Sequence, residues 1–214
     1  MKKAIIFDMD GTLFQTNLIL EEALEGAFKK LRAQKLWNGA TPIDTYRQIM
    51  GVPLQVVWQT LCPEHAEEVR QQSNIWFHEQ LIQLIRAKKG ALYEGVEETL
   101  AKLAANYPIY IASNGQSPYL QAIFETYEMQ QWVIKFYSID GIESGNKSEL
   151  VQRVIEENQL ENGYIVGDRL SDFVAAKDNE FQSIGVRFDF AQENELEKAD
   201  VVVNSFEDIL AVVN

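Results

Sequence analysis

The sequence predicts an α/β fold in which a doubly wound parallel sheet is interrupted once, directly after its first strand, by an all-helical insert. Three observations support this prediction. The apolar run Ala4–Phe7 is typical of a strand that is buried on both faces. Residues 15–90 then show only helical spacing, and beyond Gly90 helices alternate with short apolar runs, which is the pattern of a parallel sheet. The 214 residues suffice for one sizeable core and a smaller second unit.

Four helices are predicted within residues 15–90, which we call the insert. Apolar side chains recur there at i, i+3, i+4 and i+7 among charged neighbours, as on amphipathic helices. Glycine and proline interrupt the pattern between the helices and at Gly90. The predicted helices span Asn17–Lys35, Ile43–Met50, Leu54–Leu61 and Pro63–Lys88.

The remainder of the chain supplies the other strands of the predicted sheet. Short apolar runs with β-branched residues alternate there with helical patterns. The predicted strands are Ile109–Ala112, Lys135–Ile139, Tyr164–Val166, Ser183–Val186 and Val201–Val203. The predicted helices are Val96–Asn106, one that begins at Ser117, Ser148–Asn158, Asp172–Glu180 and a short one at the C-terminus.

The charge of the chain argues against two classes of partner. The net charge of -13 disfavours nucleic acid and anionic membranes, because both are bound by positive surfaces. The insert is nearly neutral, with 9 Lys/Arg and 8 Asp/Glu, so the acidity lies in the rest of the chain. The single cysteine, Cys62, fits a reducing compartment. The sequence has no apolar run that suits a signal peptide or a membrane span, and we expect a cytoplasmic protein.

Two carboxylates follow the first strand directly. Asp8 and Asp10 lie between Ala4–Phe7 and Gly11, and the two-residue period of a strand places both on the same side. Aspartate and glycine are also common in ordinary turns. Because unpaired buried charge is costly and hard oxygen ligands suit Mg²⁺, however, we expect a magnesium site here.

Two further stretches are candidates for binding an anion. Ser113 and Asn114 follow a predicted strand, where a hydroxyl and backbone N–H groups form a neutral cradle, although an ordinary loop has the same composition. Lys147 lies in the first turn of a predicted helix, where a cation opposes the helix dipole. A lysine at this unfavourable position indicates either that the residue has a function or that its side chain is exposed to solvent.

A second pair of carboxylates follows another predicted strand. Asp168 and Asp172 come after Tyr164–Val166, four positions apart, so on entering a helix they can face the same way. Asp172 also suits the N-terminus of a helix for purely structural reasons. Asp168, at the end of a buried strand, has less of a structural explanation.

These stretches together resemble the four motifs of the haloacid dehalogenase superfamily of phosphohydrolases. The matching residues are D-M-D-G-T-L at 8–13, Ser113-Asn114, Lys147 and G-D-R-L-S-D at 167–172. The resemblance implies a Rossmann-like core of residues 1–14 and 91–214 with strand order 5-4-1-2-3. It also implies a helical cap domain at residues 15–90, as in the phosphoglycolate phosphatase and β-phosphoglucomutase groups. Ser148 stands where many relatives have proline, which loosens the subfamily assignment.

The resemblance also implies a role for each motif residue. Asp8 would be the nucleophile that forms an aspartyl-phosphate, and Asp10 the general acid and then the general base. Lys147 would neutralise charge on the nucleophile and the phosphate, while Ser113 and Asn114 would bind phosphoryl oxygens. The implied Mg²⁺ ligands are Asp8, the backbone carbonyl of Asp10 and Asp168, with Asp172 in support.

The expected activity is that of a Mg²⁺-dependent phosphatase for a small phosphorylated metabolite, such as phosphoglycolate, a sugar phosphate or a nucleotide. Two alternatives remain open at this point: a β-phosphoglucomutase-like phosphomutase, and a non-catalytic binding protein with the same fold. The protein is expected to be a monomer or a homodimer. The insert is expected to close over the site about hinges at Gln15–Leu18 and Lys89–Glu94.

Three further expectations concern the insert. Arg47 resembles an arginine that some phosphoglycolate-phosphatase-like relatives direct at the substrate, although an exposed helical arginine looks the same in a sequence. His65 and His78 lack the spacing of metal ligands and are expected on the surface. The residues predicted to form the core of the insert are Trp37, Trp58, Trp76 and Phe77.

Overall fold

The α/β fold is confirmed by a computed structural model, which describes residues 3–49, residue 52 and residues 54–213, with 54 and 55 described by their backbone alone. Within these residues six parallel strands form one sheet in the order β3-β2-β1-β4-β5-β6. The predicted order 5-4-1-2-3 is therefore confirmed, and the sixth strand pairs with the fifth at one edge. The strands are β1 Lys3–Phe7, β2 Ile109–Ser113, β3 Lys135–Ser138, β4 Asn162–Gly167, β5 Gln182–Val186 and β6 Val201–Val203.

Helices connect the strands and also fill the insert. In the insert the helices are α1 Asn17–Ala33, α2 Ile43–Gln48, α3 Leu54–Leu61 and α4 Glu67–Arg86. The others are α5 Val96–Ala104, α6 Ser117–Thr126, α7 Lys147–Asn158, α8 Leu170–Asp178, α9 Glu193–Leu196 and α10 Ile209–Val212. In the part of the chain described, none of them has the length and apolarity needed to cross a bilayer.

Two helix predictions need correction, and a third has an end that the structure leaves undescribed. The helix predicted from Pro63 begins only at Glu67, because the Arg70 guanidinium binds the carbonyls of Cys62 and Pro63 and holds the segment before it in a turn. The short helix α9 was not predicted, since its four residues are too few to show a period. The predicted end of α2 at Met50 lies outside the described residues.

Both faces of the sheet are covered, as the apolar character of β1 predicts. Ile5 and Phe7 belong to one apolar cluster, while Ala4 and Ile6 belong to a second cluster on the opposite face with residues of α7 and α8. The aromatic core of the insert is also confirmed. Trp58 and Phe77 are buried, and Trp37 and Trp76 pack against the same cluster while remaining partly exposed.

The chain leaves the core for the insert and returns to it at a single place. The backbone N–H of Gln15 donates to Ala91 O at 2.9 Å, and that of Tyr93 donates to Leu13 O at 3.0 Å. The Gln15 side chain donates to Leu92 O at 2.7 Å. The two segments predicted as hinges thus lie side by side.

Candidate active site

Three carboxylates from two neighbouring strands meet at the carboxyl edge of the sheet. Asp8 directly follows β1, Asp168 directly follows β4, and Asp172 lies in the first turn of α8. Because β1 and β4 pair in parallel, with Phe7 opposite Val166, their ends fall together. All three residues are buried, and each offers an oxygen within 4.8 Å of the others. The sheet therefore brings together groups that lie about 160 positions apart.

Lys147 is the cation that faces these carboxylates. It is the first residue of α7, whose N-terminus is capped by the Asn146 side chain accepting from Ser148 N at 2.8 Å. Its Nζ lies 2.8 Å from Asp8 Oδ1 and forms a second, shorter contact with Asp172 Oδ1. Burial alone would lower the pKa of Lys147, but the attraction of Asp172 and Asp8 raises it, so the ammonium is charged.

The donor set fits a hard divalent cation. Asp168 Oδ2 is buried and has no hydrogen-bond partner in the described part of the chain. Burial, with Asp8 and Asp172 as negative neighbours, raises the pKa of Asp168 well above its ordinary value. Gly11 adopts φ 75°, and a Cβ there would lie 2.5 Å from Asp168 Oδ2, so only glycine leaves this oxygen its space. Oxygen ligands crowded in this way suit Mg²⁺.

The carboxylate of Asp10 lies apart from this cluster and has its own partners. Its Oδ1 accepts a hydrogen bond from Thr16 Oγ1 at 2.5 Å and a shorter one from the Tyr119 hydroxyl. Burial raises the pKa of Asp10, although both hydroxyls favour its ionised form. The Asp10 side chain therefore lies near the site but outside the cluster of Asp8, Asp168 and Asp172.

Thr16 and Tyr119 were missed by the sequence analysis. Thr16 lies six residues after Asp10, at the last position before α1, and looks like an ordinary helix-start residue. Tyr119 belongs to the apolar face of α6 and looks like a core aromatic. No signal in one sequence distinguishes a core tyrosine from one whose hydroxyl reaches a carboxylate.

Ser113 and Asn114 reach the site because β2 is the other neighbour of β1. Ser113 is the last residue of β2, and its Oγ accepts from Gly115 N at 3.0 Å. Both residues line the cavity above Asp8. The structure thus brings Asp8, Ser113 and Asn114 to one edge, as the spacing of the motifs predicts.

The cavity at this edge has about 70 Å³ of space, enough for roughly five water molecules. It lies between the strand ends of the core and the helices of the insert. On the core side the lining includes Asp8, Asp10, Ser113, Asn114, Tyr119, Lys147, Asp168, Arg169 and Phe190, together with Thr16, which belongs to the first residues of the insert but binds Asp10. On the insert side it consists of Tyr46, Val52, Val57, Phe77, His78 and Leu81.

Arg47 is not brought to the cavity. Its guanidinium donates to Asn17 Oδ1 at 3.2 Å, to Glu21 Oε2 at 3.4 Å and to Asp44 Oδ1 at 3.5 Å. These three acceptors hold the side chain on the outer surface of the insert. The structure therefore places Arg47 apart from the other candidate phosphate-binding residues.

The predicted surface position is wrong for His78, which lines the cavity. His78 is half-buried in α4 and lines the cavity, with Nδ1 2.9 Å from Asn74 O, and burial lowers its pKa. His65 is also half-buried, with Nε2 2.5 Å from Leu36 O. The absence of metal-ligand spacing does not decide whether a histidine is exposed. The position of His78 three residues before the buried Leu81 on α4 is the signal that could have placed it in the cavity.

Comparison with known proteins identifies the family. The sequence matches the haloacid dehalogenase-like hydrolase family over residues 5–186. A 5'-nucleotidase of Pseudomonas aeruginosa is 23% identical over 198 residues, covering 90% of this chain and 86% of the nucleotidase. A phosphoglycolate phosphatase of Photobacterium profundum is 24% identical over 226 residues, covering 99% of this chain and 95% of the phosphatase.

Solved structures show the same fold. CbbY of Rhodobacter sphaeroides, solved in complex with phosphate, superposes with a TM-score of 0.84 at 18% identity and covers 100% of this chain and 99% of CbbY. The match to the family extends over most of the sequence, from β1 to β5. The chain therefore belongs to the haloacid dehalogenase-like hydrolase family.

Proposed function

We propose that this chain is a Mg²⁺-dependent phosphatase that hydrolyses a phosphomonoester of a small metabolite through an aspartyl-phosphate on Asp8. The observation that carries the proposal is the contact of Lys147 with Asp8 and Asp172 beside the buried, unpartnered oxygen of Asp168. Burying such an acidic group lowers the free energy of unfolding, and a role in stabilising charge during phosphoryl transfer explains why the chain has it. The family and the names of the relatives agree with a phosphatase.

In the first half of the proposed reaction, an Asp8 carboxylate oxygen attacks the phosphorus atom. The bond from phosphorus to the leaving oxygen breaks, and Asp10 gives its proton to that oxygen. Lys147 stays ionised throughout and offsets the negative charge of the phosphoryl group. Ser113 and Asn114, at the adjoining strand end, orient the phosphoryl oxygens.

In the second half, water attacks the aspartyl-phosphate and Asp10 takes up its proton. The bond from Asp8 to phosphorus breaks, inorganic phosphate leaves, and both carboxylates return to their starting state. Dividing the displacement in this way replaces one difficult step by two easier ones. Thr16 and Tyr119 hold the Asp10 carboxylate between the two steps.

Asp8, Asp168 and Asp172, with the backbone carbonyl of Asp10, would hold the metal ion. When bound, Mg²⁺ supplies a positive charge that stabilises the phosphoryl group and keeps the nucleophilic carboxylate ionised. The unpartnered Asp168 oxygen supports this assignment.

The proposal is tested by phosphate release from a panel of some tens of phosphomonoesters with Mg²⁺ present. Asp8→Asn removes the nucleophile while keeping the size of the side chain, and we expect release to fall at least about 1000-fold. Asp44→Asn is the matched control, because Asp44 is 88% exposed on the insert and should leave release unchanged. Release that persists in Asp8→Asn, or an absence of release from the whole panel, would contradict the proposal.

A further inference from the structure

The two sides of the cavity differ in charge. The core side carries Asp8, Asp168, Lys147 and Arg169, while the insert side is apolar except for Tyr46 and His78. Within the described residues, no lysine, arginine, aspartate or glutamate of the insert lines the cavity. The phosphoryl group is bound at the core end, so the insert side faces the group that leaves.

Among the described residues, no cation of the insert lines the cavity, where it could bind a second anionic group. Arg47, the basic residue nearest to Tyr46 in sequence, is bound by Asn17, Glu21 and Asp44 on the outer surface. The segment that follows it, residues 50–55, consists of Met, Gly, Val, Pro, Leu and Gln and contains no ionisable side chain. A carboxylate or second phosphate placed against the described residues of the insert side would lose its hydration without gaining a cationic partner, which costs free energy.

Arg169, on the core side, is already paired. Its Nε lies 2.9 Å from Glu195 Oε2, and its Nη2 lies 3.3 Å from Glu195 Oε1. It directly follows Asp168, so it lies at the phosphoryl end of the cavity rather than beside the insert. Its charge is therefore partly offset by Glu195, while its buried Nη1 has no hydrogen-bond partner among the described residues and remains available at that end of the cavity.

The two polar groups of the insert side are neutral. His78 Nδ1 lies 2.9 Å from Asn74 O, and because a carbonyl oxygen can only accept, Nδ1 carries the proton and Nε2 remains an acceptor. Burial lowers the pKa of His78, which keeps the ring neutral. Burial also raises the pKa of Tyr46, so its hydroxyl stays protonated and remains a donor.

We propose that the substrate is the phosphate ester of an uncharged, hydroxyl-bearing alcohol, whose hydroxyl groups are bound by Tyr46 and His78. This inference rests on the proposed phosphatase function and narrows its substrate class. The apolar side chains of Val57, Phe77 and Leu81 contact the carbon skeleton, and the neutral pair selects for hydroxyl groups. Leaving groups that carry a carboxylate or a second phosphate are excluded.

The first experiment compares phosphomonoesters in pairs that differ by one carboxylate. The pairs are glycerol 1-phosphate with 3-phosphoglycerate, 2-hydroxyethyl phosphate with 2-phosphoglycolate, and glucose 6-phosphate with 6-phosphogluconate. We expect kcat/KM for the uncharged member of each hydrolysed pair to be at least about tenfold higher, as desolvation of an unpaired anion requires. Propyl phosphate, which has no free hydroxyl group, should have a lower kcat/KM than glycerol 1-phosphate, which has two.

Substitutions at His78 and Tyr46 then test the insert side of the cavity. His78→Lys adds a cation and should raise kcat/KM for the carboxylated member relative to the uncharged one, whereas His78→Gln keeps the side neutral and should not. Tyr46→Phe should reduce the preference for glycerol 1-phosphate over propyl phosphate. Arg47→Gln is the control outside the cavity and should leave every preference unchanged.

The outcomes separate the two proposals. If a carboxylated member is hydrolysed as fast as its partner, or if only esters with charged leaving groups release phosphate, the inference fails while the phosphatase function stands. A loss of carboxylate hydrolysis in Arg47→Gln would also overturn it, because Arg47 would then be the missing cation. If no phosphomonoester of the broad panel is hydrolysed, the proposed function itself fails.

Discussion

The two sides of the cavity are built by different means. The charged residues of the core side lie at strand ends or, for Lys147, at the start of α7, and the pairing of β1 with β4 fixes the separation of Asp8 and Asp168. Among the described residues, the insert side is formed by neutral side chains from α2, α3 and α4, placed by helix packing, and by Val52, which lies between α2 and α3. If both proposals hold, the chemistry depends on sheet register, whereas the choice of substrate depends on side chains that can change without disturbing the sheet.

The two sides also differ in what they contribute to stability. The apolar residues of the insert side favour folding by being buried. The carboxylates of the core side oppose it, and burial raises the pKa of Asp172 to about 6 even though Lys147 acts to lower it. Four predictions test this difference between the two sides, and they are given from the largest expected effect to the smallest.

Replacing Lys147 should give the largest effect. Lys147→Met keeps the length of the side chain but leaves Asp8 and Asp172 without their partner. We expect phosphate release to become undetectable and, without metal, the free energy of unfolding to fall by about 3–5 kcal/mol. Urea unfolding measures this change.

A double variant tests the cause of that loss. Adding Asp172→Asn to Lys147→Met removes one unpaired charge and should restore part of the stability but none of the activity. If the single variant is as stable as the wild type, the ion pairs do not stabilise the core side.

Removal of metal should have the next largest effect. Mg²⁺ at 100 times its dissociation constant adds about 2.7 kcal/mol to the free energy of unfolding, or roughly 5–10 °C in melting temperature for a chain of this size. EDTA should reverse the shift and stop phosphate release. Differential scanning calorimetry with and without EDTA measures it.

Asp168→Asn sharpens this test, because the substitution should raise the melting temperature of the metal-free protein but reduce the increase that Mg²⁺ produces. Without metal the variant should melt above the wild type, since it loses a buried charge whose Oδ2 has no partner. With Mg²⁺ it should gain less than the wild type. Equal gains in both proteins would contradict a role of Asp168 in metal binding.

Loss of the Tyr119 hydroxyl should have an intermediate effect on catalysis. Tyr119→Phe leaves the Asp10 carboxylate with Thr16 as its hydroxyl donor, and we expect kcat to fall about tenfold with little change in KM. The lost hydrogen bond favoured the ionised form of Asp10, so its removal should raise the pKa of Asp10. The part of the pH profile of kcat that depends on Asp10 should therefore move to higher pH.

Tyr137→Phe is the control for this change. Tyr137 is a buried tyrosine of β3 in the apolar cluster on the other face of the sheet, and its hydroxyl accepts from Asn158 at 2.8 Å. It should lose some stability and keep the pH profile of the wild type. Equal kinetic effects in the two variants would mean that Tyr119 acts through packing alone.

The pH dependence of His78 should be the smallest effect. Because its folded pKa lies below the ordinary 6.5, the unfolded chain binds a proton below pH 6.5 that the folded chain excludes. Stability therefore falls as the pH is lowered through 6.5, by at most about 1.4 kcal/mol per pH unit for one proton. Asp172, whose pKa is raised to about 6, titrates in the same range in both proteins, so the slope of His78 is the difference between wild type and His78→Gln in urea unfolding from pH 7.5 to 5.5.

The sequence predicted the sheet and the strand ends well, for a physical reason. A strand buried on both faces that ends in carboxylates is an unusual local pattern, and parallel pairing then brings Asp8 and Asp168 together. The site residues of the insert were harder to predict. The face that lines the cavity is formed by packing between helices, so Tyr46 and His78 look like ordinary core and surface residues in the sequence.

The paired backbone segments that join insert and core have an evolutionary consequence. Gln15 N donates to Ala91 O, so the first and last residues of the insert are adjacent in space. All six strands lie outside the insert in the sequence. Evolution can therefore replace or remodel the insert without changing the order of the strands. New specificities can arise by recombination at this one junction, while the reaction inherited with the sheet is retained.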